Sequence, residues 1–228
     1  MSFVPFYSSW GIMIFVVSAF LWKYIGLWIF LIYITVSIYL VITEVGMQEC
    51  THNFGFLVFI ITELLTFVSL FTIANFSMAE CLWPGVTQIS EYGEFPLLGS
   101  LLLISSSILV TGFHYNYGLK GCLNYLWVGM VLGFCFMLVQ FFEFNESSCY
   151  FLDCPYYVAA YSTVGLHFLH VLGGLTVLLV VFFCHRYLEF FYVEMSVWYW
   201  HFVDFIWCLV FFVFYYPSAY YWVEISMV

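Results

Sequence analysis

Long apolar runs separated by short polar breaks fill this chain from end to end. Reading back from the strongest break, Pro217, the last run extends from Tyr192 to Tyr216; proline ends it because it has no N–H to continue a helix. Before it lie Pro155–His185, then Asn124–Phe144, bounded by Lys120-Gly121 and by Asn145-Glu146-Ser147-Ser148. Further back come Pro96–Phe113, after a polar loop at 80–94 that contains Trp83-Pro84-Gly85, and Phe54–Ala79. A helix needs roughly 17–25 apolar residues to cross the hydrocarbon core, more if tilted. In lipid the backbone has no water to bond, so such runs are helices.

The first fifty residues read two ways. Trp10–Ile42 is apolar except for Lys23, and forms either one very long tilted helix or two shorter ones. A lysine in the middle of a single span is costly, whereas at a turn its ammonium group reaches the headgroups. Two helices are favoured, Pro5–Trp22 and Gly26–Met47, for seven in all; one helix would give six. The predicted fold is all-α, a polytopic transmembrane bundle forming a single transmembrane domain over 1–228. Residues 1–50 are an N-terminal hairpin and 51–228 a five-helix bundle.

Composition strengthens the pattern. Apolar residues make up 66% of the chain and charged residues 7%, against about 25% charged in a soluble domain, so lipid must cover most of the surface. Lys23, Lys120 and Arg186 are the only basic residues besides histidine, which excludes nucleic acid as a partner. With seven crossings the N-terminus, Lys120 and Arg186 share one side. Lys23 and the acidic loops 80–94 and 143–153 share the other. The positive-inside rule then puts the N-terminus on the matrix or cytoplasmic side. Cys135, Cys184 and Cys208 sit in apolar runs, as small buried hydrophobes do. Cys149 and Cys154 flank a loop and are either free or bridged on an oxidising face. Met1–Pro5 has no basic n-region and leads straight into a span. The 29 Phe, 19 Tyr and 8 Cys beside so few basic residues suggest a thymine-rich coding strand, as in an organelle genome.

Few residues offer chemistry. Glu63 lies about nine residues into its run, near the midplane at 1.5 Å per residue, with no basic neighbour in sequence. It is expected either to donate, as a neutral acid, to a backbone carbonyl or to serve proton handling or a subunit contact. His167 and His170 lie three apart on the penultimate run. On the last run Glu194 and His201 lie seven apart, and Asp204 shares the face of His201. If the two helices are neighbours, these five residues can meet. They resemble half of a carboxylate-bridged di-iron site, but such a site needs Glu-x-x-His on each of two helices. Spacing leaves a metal, a hydrogen-bonded structural network, and a headgroup or proton site all open. His114, Gln140 and Glu143 sit near span ends and are expected at the interface. No phosphate loop, dinucleotide fingerprint or Ser/His/Asp arrangement is present.

Trp198-Tyr199-Trp200-His201-Phe202-Val203-Asp204-Phe205-Ile206-Trp207 resembles the last-helix signature of subunit III of haem–copper cytochrome c oxidase, with Glu194 at the family's preceding glutamate. Gly165-Leu166-His167-Phe168-Leu169-His170-Val171 is similar to its paired-histidine motif. Trp83-Pro84, Phe95 to Ser100, Thr111 to His114, and Glu63 follow in family order, and the resemblance runs from about Glu49 to Tyr216. It implies a mitochondrial inner-membrane subunit with no catalytic residue, metal, haem or copper of its own; haem a and copper belong to partner subunits. It implies packing on subunit I, contacts with other subunits of the complex, bound phospholipids including cardiolipin, and support of proton uptake and stability during oxygen reduction. It makes Glu63 a modulatory buried carboxyl and His167, His170, Glu194, His201 and Asp204 a structural polar network. Headgroup positions would be Glu49, His52 and Arg186. The family's flanking basic residues are missing around Glu44, Glu49 and His52, so lipid phosphate there is either unbound or held by other subunits. Two rivals are subunit III of a quinol oxidase, usually five helices without the first hairpin, and a proton-coupled transporter.

Overall fold

The computed structural model describes residues 4–21, 24–45, 53–81, 95–147 and 154–215. They form seven helices: α1 (Val4–Phe20), α2 (Tyr24–Val45), α3 (Asn53–Cys81), α4 (Phe95–Tyr115), α5 (Cys122–Glu146), α6 (Pro155–Cys184) and α7 (Phe190–Val210), the last continued by a π-helical turn, Phe211–Tyr215. The first fifty residues therefore hold two helices, and the six-helix alternative is out. Five segments are long and apolar enough to cross a membrane: Asn53–Met78, Phe95–Tyr115, Cys122–Glu146, Pro155–Cys184 and Phe190–Tyr215.

The chain divides into two compact units, Met1–His52 and Asn53–Val228. In the first, α1 and α2 fold against each other, with Tyr7 stacked on Tyr33 at a ring separation of 3.9 Å and the Phe15 and Phe30 rings tilted against each other at 4.7 Å. In the second, α4 packs on α5 and α7, while α6 packs on α3, α5 and α7. Trp200, Trp207, Phe136, Leu103 and His167 are all buried at its centre. In α3 only 11% of the span is buried, which places it at the edge of the unit.

Small residues let the helices close on the tryptophans, since packing rather than the hydrophobic effect drives association in lipid. A Cβ on Gly133 of α5 would lie 2.8 Å from the Trp200 ring, and one on Gly174 of α6 would lie 2.9 Å from it. Trp200 fills the space those two glycines leave. Replacing Gly174 with valine should therefore force α6 off α7, at about 1–3 kcal/mol. The amount of folded chain recovered from membranes, and its resistance to unfolding in detergent, would fall. Unchanged recovery would show that Trp200 can move aside.

Turns are set locally. Gly118 and Gly121 take positive φ between α4 and α5, a conformation open to glycine. Pro155 opens α6, where its missing N–H costs nothing. Cys154, just before it, is disulfide-bonded. Cys149, Trp83-Pro84, Glu49 and His52 lie outside the described residues.

Candidate functional site

The α4–α7 seam is built on hydroxyls. Ser100, Ser107 and Thr111 of α4 recur at intervals of seven and four, so they share a face. Trp207 Nε1 donates to Ser100 Oγ at 3.1 Å. One residue off that stripe, Ser106 Oγ accepts from Trp200 Nε1 at 3.2 Å. His201 lies across the stripe, with Nδ1 2.7 Å from Ser107 Oγ and Nε2 3.2 Å from Thr111 Oγ1. His201 and Asp204 share a face of α7, as their spacing requires, and His201 is the one that bonds Ser107.

Counting hydrogens shows what this set holds. Thr111 donates its hydroxyl to the Ser107 carbonyl at 2.9 Å, so His201 Nε2 donates to Thr111. With the hydrogen on Nε2, a neutral His201 accepts at Nδ1 from the Ser107 hydroxyl, which keeps the cost of the bilayer interior low.

The same arithmetic applies between α3 and α6. His170 Nδ1 donates to the Leu166 carbonyl at 2.8 Å, and its Nε2 lies 2.9 Å from Glu63 Oε2. One hydrogen is shared across that contact, so the pair is also neutral overall. Glu63 thus has a partner 107 residues away, where its sequence neighbours offered none. His167 is apart from both sets. Its Nε2 donates to the Val203 carbonyl at 3.1 Å, and its ring packs against Phe136 and Trp207. Glu194 is half-buried, and no hydrogen bond joins it to the other four. The five residues are therefore divided among separate contacts.

Two expectations of interfacial placement are corrected. Gln140 and Glu143 are buried. Gln140 Nε2 donates to Glu143 Oε2 at 2.8 Å, and the Tyr215 hydroxyl donates to Glu143 Oε1 at 2.7 Å. The π-helical turn carries Tyr215 inward to make that bond; such turns insert an extra residue and so rotate the side chains at their C-terminal end. His114 is half-buried, with its ring stacked on Phe190 and its Nε2 enclosed. Arg186, by contrast, is exposed in the turn between α6 and α7. Among the described residues, no three His, Cys, Asp or Glu side chains form a group that could hold a metal.

Residues 46–222, which take in all of α3 to α7, match the family model described as cytochrome c oxidase subunit III. The chain belongs to that family. Cytochrome c oxidase subunit 3 of Rhipicephalus sanguineus is 35% identical over 173 residues, covering 69% of this chain and 67% of the relative. That of Loxodonta africana is 33% identical over 188 residues, 75% of this chain and 69% of the relative. That of Anopheles gambiae is 31% identical over 187 residues, with the same coverage of both.

Against this family background, the sequence reading missed α4 as a donor of partners. Its signal was available. Ser100, Ser105, Ser106, Ser107 and Thr111 are a dense hydroxyl set for one span, and such residues commonly bond across helices. Several of them also satisfy themselves locally: Ser106 Oγ donates to the Leu103 carbonyl at 2.7 Å. A lone helix therefore does not reveal which of them reach a neighbour.

Proposed function

We propose that the chain serves as subunit III of a terminal, proton-translocating cytochrome c oxidase in the mitochondrial inner membrane. In this role it carries no redox centre. It packs on catalytic subunit I, holds phospholipids and supports proton uptake while haem a and copper in partner subunits reduce oxygen to water. The observation that carries the proposal is the agreement of the family match over 46–222 with the five-helix unit.

Two further features support it. A groove of about 610 Å³ runs between α3, α6 and α7, lined by Phe56, Phe59, Val177, Val180, Tyr192 and Tyr199 among others, and it suits a phospholipid acyl chain. The disulfide at Cys154 favours an oxidising compartment for the α5–α6 connection. The turns with Lys120 and Arg186 are at the opposite ends of these helices and would face the matrix. With α1 and α2 crossing as well, the N-terminus would face the matrix too.

Glu63, His167, His170, Glu194, His201 and Asp204 serve this role as structural and modulatory groups; Arg186, Glu49 and His52 are the headgroup positions. Replacing Glu63 with glutamine keeps a group that can bond His170, so assembly and most oxygen consumption should survive. Complete loss of turnover in a fully assembled Glu63→Gln oxidase would make Glu63 essential and contradict the modulatory role.

Mild-detergent purification tests the proposal as a whole. The chain should co-purify with subunit I and with haem a absorbance, in a fraction that oxidises cytochrome c. A fraction oxidising only quinol would favour the quinol-oxidase relative. A chain that migrates alone, with no haem protein, would overturn the assignment.

A further inference from the structure

We draw no further inference here: the strongest candidate, the apolar groove between α3, α6 and α7 that ends at Tyr199, belongs to the phospholipid-holding role already proposed, and nothing in the structure shows a second occupant.

Discussion

Replacing Trp200 with alanine should remove most of the chain from its assembled complex. The indole is 1% exposed, donates to Ser106 at 3.2 Å, and fills the space over Gly133 and Gly174. Truncation would open a cavity where α4, α5, α6 and α7 meet. Removing a buried tryptophan costs about 3–5 kcal/mol, which at about 1.4 kcal/mol per tenfold is roughly two to three and a half orders of magnitude in a folding or docking equilibrium. Lipid does not cancel this, because the lost contacts are packing contacts. Trp200→Phe keeps most of the ring volume and should recover an intermediate amount. The measurement is the ratio of chain to haem a in the purified oxidase. Wild-type stoichiometry in Trp200→Ala would mean that the glycine-lined space is not what holds the four helices.

Glu143→Leu should free the C-terminal end of α7. Both carboxyl oxygens accept a buried donor, one from Gln140 and one from Tyr215, and leucine would leave both donors without that acceptor. Each buried group so stranded costs about 1–3 kcal/mol, towards the lower end inside a membrane. Glu143→Gln keeps the size and one acceptor oxygen, so it should cost markedly less. Hydrogen exchange reads the effect directly: backbone amides of Phe211–Tyr215 should exchange about tenfold or more faster in Glu143→Leu, at about 1.4 kcal/mol per tenfold, with α5 amides before Gln140 unchanged. Equal protection in the two variants would show that packing of Phe214 alone holds the π-helical turn.

The contrast between Glu63 and Glu143 shows what position along a run reveals and what it leaves open. Glu63 sits mid-run, and its side chain is 28% exposed beside His170. Glu143 sits near the end of its run, where a carboxylate usually meets water. Nothing local signals that Tyr215, 72 residues on, turns inward to cover it. The five residues of α6 and α7 lie in separate contacts for a related reason. His167 and His170 are about 60° apart around α6, which is enough for one to face α7 and the other α3. Spacing gives the angle between side chains and leaves open which neighbour each one meets.

By itself the sequence determined an all-α membrane protein of six or seven helices, the position of the last five to within a few residues, and membership of its family. These rest on local quantities: the length of apolar runs, prolines and glycines at their ends, and a signature whose residues lie close together in the chain. Only the tertiary structure decided which polar groups meet. It set His170 against Glu63 of α3, His201 against Ser107 and Thr111 of α4 and His167 against Val203 of α7, and it buried Glu143. In lipid every span is apolar on all sides, so no hydrophobic face announces which way a helix turns. Its rotation is set by how Trp200 and Trp207 fit against the small residues of α4, α5 and α6, a property of several helices together.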